Sequence, residues 1–185
     1  MKRANRSAFT LVEVLVVIAI TSLLAGMILT YSTASRDQVA LRVEQAKLAQ
    51  TIVKAKSLTV STYNDPVIPC GYGVHIDYDA DRYQLFSYGV PEGSPGPAQC
   101  TGIDIEANPD LRVDVTEEKL PPSLTFAAPE NEAIEYVLFL PPNPNTWIWL
   151  RGDSSTSTAG LVTISSKSGD YSVEVTVSSA GQVSF

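Results

Sequence analysis

Hydrophobic and polar positions divide the chain into three regimes. From Ala8 to Leu29 nearly every residue is apolar, and no formal charge follows Glu13 within the run. As a helix, Phe9 to Tyr31 would span roughly 33 Å, enough for the hydrocarbon core of a bilayer. From 36 to 60 the apolar residues recur at helical spacing. Val39, Val43, Ala46 and Val53 form one stripe, flanked by a second of Leu41, Leu48, Ile52 and Ala55. Arg36, Arg42, Glu44, Lys47 and Lys54 are assigned to the polar side. No proline or further glycine interrupts the chain between Gly26 and Asp65. The pattern predicts one helix from 9 to about 60, roughly 78 Å long, its second half laid on a globular domain. Gly26, Thr30, Ser32 and Thr33 are poor helix formers and mark where it would bend or melt for a turn.

Beyond Asp65-Pro66 the period changes from 3.6 to 2. The stretch "YGVHIDYDADRYQLFSYG" reads as a hairpin turning at Asp79-Ala80-Asp81. Further strands are expected at 111–115, 124–127, 134–140, 146–151, 161–165, 171–178 and 182–185. Residues 92–99, 140–145 and 152–160, rich in Gly, Pro, Ser or Thr, are expected as loops. Helix first and strands after it, without βαβ alternation, predict an α+β fold: a long N-terminal α-helix, transmembrane then amphipathic, packed on an antiparallel β-sheet head.

Charge sharpens this division. Lys2, Arg3 and Arg6 precede the apolar run, so the N-terminus should stay cytoplasmic and the rest should cross. The whole chain carries a net charge of −7. Residues 61–185 hold 5 Lys and Arg against 17 Asp and Glu, a net of −12. Such a head repels phosphate backbones and anionic lipid.

Glu13 is the anomaly in the apolar run. A carboxylate in hydrocarbon costs several kcal/mol unless it is paired or reaches water. A secretory signal peptide cut near Ser32-Thr33-Ala34 has no place for it, and its apolar segment is usually shorter. A plain anchor has no use for it, although a residue so near the cytoplasmic end can reach the headgroups. The remaining reading gives Glu13 a cationic partner on another subunit.

The residues Ala8 to Glu13, "AFTLVE", behind a short basic leader and ahead of the long apolar run, resemble the class III signal of type IV pilins and type II secretion pseudopilins. The resemblance implies a leader of 1–8, cleaved by prepilin peptidase between Ala8 and Phe9, with Phe9 N-methylated. Ala8 stands where the family more often has glycine. It implies a transmembrane and assembly helix over 9–31, an amphipathic continuation over 32–60 and a β-rich head over 61–185. In such a filament Glu13 would pair with the N-terminal amine of a neighbouring subunit, and in a low dielectric only the correct axial register satisfies both charges. The implied partners are other pilins or pseudopilins, the peptidase and the inner-membrane assembly platform. The implied location is the cytoplasmic membrane, single-pass, with the head periplasmic or extracellular, and then the filament. The long helix, the early "GV.I…D.Y.LF" hairpin and the terminal "V.V…G.V" hairpin are similar to H-type minor pseudopilins and FimT-type minor pilins. A role as a tip minor pilin whose head binds DNA or a surface is the alternative, with Arg151 and Lys167 as its slender basic support.

Chemistry-bearing residues are few. Cys70 and Cys100 belong to no C-x-x-C, and with the single His75 they do not complete a zinc set. In an exported head they would form a disulfide; in the cytoplasm they would be two buried thiols. Asp77, Asp79 and Asp81 form a D-x-D-x-D, a weak calcium candidate, but Arg82 and Tyr88 stand where an EF-hand loop has Gly and Glu. A solvated hairpin turn is the stronger reading. His75 reads as a structural histidine, and Trp147 and Trp149 as core or as an exposed patch for a partner. No catalytic motif, P-loop or dinucleotide fingerprint appears, so no enzyme and no cofactor are expected.

Overall fold

The computed structural model describes residues 10–61, 69–90, 100, 103–105, 107–129, 132–141 and 145–185, without the side chains of 28–35. The chain divides into two units, Met1–Gln38 and Val39–Phe185.

Helix α1 runs Leu11–Ser61 without interruption, so no turn melts near Gly26. Among the described residues ten strands follow in chain order: β1 Gly71–Asp77, β2 Arg82–Tyr88, β3 Arg112–Lys119, β4 Leu124–Ala127, β5 Ile134–Leu140, β6 Asn145–Leu150, β7 Thr156–Ser157, β8 Ala159–Ser166, β9 Ser172–Ser178 and β10 Val183–Ser184. The expected α+β architecture is present, with two antiparallel sheets instead of one. One is six-stranded, in the order β3-β2-β1-β5-β6-β7; the other is four-stranded, in the order β10-β9-β8-β4. A parallel bridge joins Ala133 to Leu161.

The main core lies where α1 meets both sheets. Leu41, Leu48, Ile52 and Ala55 of the helix pack with Val74, Leu85, Val137 and Ile148 of the first sheet and Val162, Ile164, Val175 and Val177 of the second. A smaller core covers the opposite face of the first sheet, built from Cys70, Phe86, Tyr88, Ile103, Ile105, Leu138, Leu140 and Trp149. Side chains alternate across a strand. Val137 and Phe139 of β5 therefore enter one core, and Leu138 and Leu140 the other. That double burial is why β5 reads as the near-continuous apolar run Tyr-Val-Leu-Phe-Leu.

Three expectations are corrected. The stripe of Val39, Val43, Ala46 and Val53 is exposed, and the flanking stripe of Leu41, Leu48, Ile52 and Ala55 is the buried one. Glu44, placed on the polar side, is buried at 4% exposure and pairs with Lys47 at 2.8 Å. Two apolar stripes lie side by side on this helix, and the period alone does not choose between them. The sheets take the face with the longer side chains. The segment 152–160 is not wholly loop, since β7 and the first residues of β8 lie in it. Its pairing to Ile148 and Trp149 runs through the backbone, which a Ser/Thr-rich composition does not betray. The β1–β2 hairpin, the strand at 124–127 and that at 134–140 fall where expected. The expected loop at 92–99 lies outside the described residues.

Candidate functional site

Glu13 sits in the first turn of α1. Its backbone N–H donates to the Thr10 hydroxyl (3.3 Å) and carbonyl (3.0 Å). Thr10 therefore caps the helix, and Thr10-Leu11-Val12-Glu13 has the form of a capping box, with the carboxylate near the positive end of the helix dipole. The sequence reading passed over Thr10, although T-x-x-E ahead of an apolar run is its signal. Ala8 and Phe9, the proposed processing residues, lie outside the described residues.

Beyond the cap the helix is apolar around its whole circumference. Leu11, Val12, Leu15, Val16, Ile18, Ile20, Leu23, Leu24 and Met27 are all exposed. In the middle of this stretch the Thr21 hydroxyl satisfies itself on the carbonyls of Val17 (2.9 Å) and Ile18 (3.0 Å). A helix that is hydrophobic all round requires an apolar environment. The described stretch Leu11–Met27 is roughly 26 Å of helix, against a hydrocarbon core of about 30 Å. Among the described residues no helix is long and apolar enough to cross a membrane. Within the second unit α1 carries an exposed stripe of Val39, Val43, Ala46, Val53 and Val60, with Val39 at 64% and Val53 at 53%.

In the head, Cys70 and Cys100 are bonded, with Cα atoms 5.9 Å apart, and Cys70 is fully buried in the smaller core. The three aspartates do not converge. Asp77 accepts from Arg82 Nε at 2.8 Å and from the Ala80 N–H at 3.0 Å. Burial alone would raise its pKa, and these two donors bring it below the ordinary range. Asp79 meets Arg151 at 3.1 Å. Asp81, at φ 52°, accepts from the Thr125 hydroxyl (2.7 Å) and the Phe126 N–H (3.0 Å), with Lys167 at 3.7 Å. Each carboxylate has its own donors, so the turn is a structural knot tying the hairpin to β4. Among the described residues no group of His, Cys, Asp and Glu is arranged to hold a metal.

Arg151 also lies over the Tyr78 ring, 5.1 Å from its centre. Both basic residues that a DNA-binding head would draw on are therefore turned towards the acids of the hairpin. His75 stacks on Tyr136 at 4.5 Å and meets Gln84 at 3.0 Å. Burial pushes its imidazole below the ordinary value, over the opposing effect of the Gln84 contact. Trp147 and Trp149 contact each other at 5.8 Å within the smaller core, Trp149 buried and Trp147 half-buried.

Residues 3–29 match the family model of the prokaryotic N-terminal methylation motif. The motif is followed by a helix packed on antiparallel sheets, an arrangement consistent with a type IV pilin-like protein. No curated protein and no solved structure matches the chain.

Proposed function

We propose that the chain is a structural minor subunit of a type II secretion pseudopilus or a type IV pilus, similar to H-type pseudopilins and FimT-type pilins. The observation that carries this reading is the methylation motif at 3–29, within which lies an all-round apolar helix with one carboxylate, Glu13, in its first turn. In this reading prepilin peptidase removes residues 1–8, Phe9 becomes the methylated N-terminus, and residues 9–31 hold the subunit in the cytoplasmic membrane. Residues 32–60 continue the helix onto the head, 61–185, outside that membrane. During assembly by the inner-membrane platform, Glu13 pairs with the N-terminal amine of the neighbouring subunit. An unpaired charge in that apolar environment is costly, so the pair sets the axial register. The role is structural, not catalytic. The engagement of Arg151 and Lys167 by Asp79 and Asp81 favours a structural subunit over a DNA-capturing tip.

The test is the intact mass and N-terminal sequence of the protein recovered from membranes, with and without prepilin peptidase. A chain starting at methylated Phe9 only when the peptidase is present supports the reading. A start near Ser35, or an uncut Met1 chain in both strains, overturns it. Glu13→Gln should leave processing intact and reduce recovery of the subunit in sheared filaments.

A further inference from the structure

Sheet edges expose unpaired backbone N–H and C=O groups, and one way proteins blunt them is to keep edge strands short, charged side chains and β-bulges being others. Three of the four edges here follow that rule: β7 and β10 have 2 residues each and β4 has 4. The fourth, β3, has 8 residues, and all but Arg112 are exposed.

The polarity of this edge can be read from its ladder. Gly89 N–H donates to the Leu111 carbonyl (2.7 Å), and Leu120 N–H donates to the Asp81 carbonyl (2.9 Å), bracketing the β2–β3 pairing at both ends. Hydrogen-bonded and non-bonded pairs alternate in an antiparallel ladder. Counting inward from these two bonds along the register, with its shift at Leu85/Phe86, turns the backbone groups of Val113, Thr116 and Glu118 towards β2. Those of Arg112, Asp114, Glu117 and Lys119 point away from it. Among the described residues no strand pairs with this edge, which thus offers four residues' backbone donors and acceptors to an incoming strand.

The side chains say what kind of strand fits. Val113 and Val115, 61% and 49% exposed, give one end an aliphatic rim. Asp114, Glu117 and Glu118 make the middle and far end acidic, between Arg112 and Lys119; Asp114 already pairs with Arg112 at 3.0 Å and Glu117 with Arg82 at 3.3 Å, while Glu118 adds a further carboxylate. A second copy of β3 is the wrong partner. Antiparallel self-pairing about the strand centre sets Asp114 opposite Glu117 and Arg112 opposite Lys119, like charge on like.

We propose that the outer edge of β3 is a strand-addition site for an extended segment of a different polypeptide, aliphatic at one end and basic at the other. This site rests on the head alone and is independent of the role given to Glu13.

The probe is a synthetic eight-residue peptide, titrated into the full chain in detergent micelles and followed by backbone amide exchange. It carries valine or threonine opposite Val113, Val115 and Thr116, lysine opposite Asp114, Glu117 and Glu118, and glutamate opposite Arg112 and Lys119. Binding should saturate below about 1 mM and protect the amides of Asp114 and Glu117. The same peptide with alternate backbone nitrogens methylated should bind at least about tenfold more weakly, which tests strand pairing without altering the protein. Glu117→Pro removes one outward donor and keeps the β2 ladder, so it should give a similar loss with the head still folded. No binding up to that concentration, or equal binding by the methylated peptide, overturns the proposal. So does concentration-dependent dimerisation through β3, which would make a second copy the occupant.

Discussion

The hydroxyl of Thr59, in the last turns of α1, accepts the N–H of Tyr72 at 3.1 Å and approaches the carbonyl of Phe139 at 3.2 Å. It also lies 3.0 Å from the Ala55 carbonyl of its own helix. One buried oxygen therefore joins the helix to adjacent strands β1 and β5. Thr59→Val keeps the shape and leaves the Tyr72 N–H without this partner. The expected cost is about 1–3 kcal/mol, read as a lower midpoint of chemical denaturation.

The exchange of buried and exposed stripes on α1 makes a paired prediction. Leu48→Ala removes a fully buried side chain and should destabilise the head by about 2–5 kcal/mol. Val43→Ala, on the exposed stripe, should change stability by less than about 0.5 kcal/mol. If filament assembly uses that stripe, Val43→Glu with Val53→Glu should lower recovery of the subunit in sheared filaments with its thermal midpoint unchanged.

The Cys70–Cys100 bond closes a loop with a sequence separation of 30. On the chain-entropy model it contributes about 3–4 kcal/mol. A Cys70→Ser, Cys100→Ser double variant, or the reduced protein, should unfold at lower temperature by a corresponding amount in a thermal melt.

Gly73 lies under the Phe86 ring and against the Val137 carbonyl, both of which a Cβ would strike. Gly73→Ala should destabilise the β1–β5 pairing by more than about 2 kcal/mol. Differential scanning calorimetry of the purified chain reads the change.

His75 supplies a pH dependence. Its imidazole is lowered by burial, so the folded head binds a proton less readily than the unfolded chain. The neighbouring charges are Arg112, which lowers it further, and Asp77 and Asp114, which oppose. Its contribution to stability is whole above the unfolded value of about 6.5 and shrinks as pH falls towards the lowered folded value. Stability should decline as pH falls below about 6.5, and His75→Gln should flatten that part of the profile.

The sequence alone determined most of the elements. An uninterrupted helical period, followed by a period of two with turn residues between runs, is a local property, and α1, the β1–β2 hairpin and β5 came from it nearly residue for residue. The methylation motif at 3–29 is also local, because it is one run of consecutive residues. What the tertiary structure decided is everything that depends on a surface meeting another surface. Leu48 and Val43 are equally apolar, and only the shape of the two sheets made one core and the other surface. Glu44 looked solvated and is buried, because its acceptor is satisfied by Lys47 one turn on. The run Asp77, Asp79, Asp81 looked like one acidic cluster. Folding sent its carboxylates to Arg82, Arg151 and Thr125, donors 5, 72 and 44 residues away. Hydrogen-bond partners that distant leave no periodic trace in the chain, so no local pattern announces them.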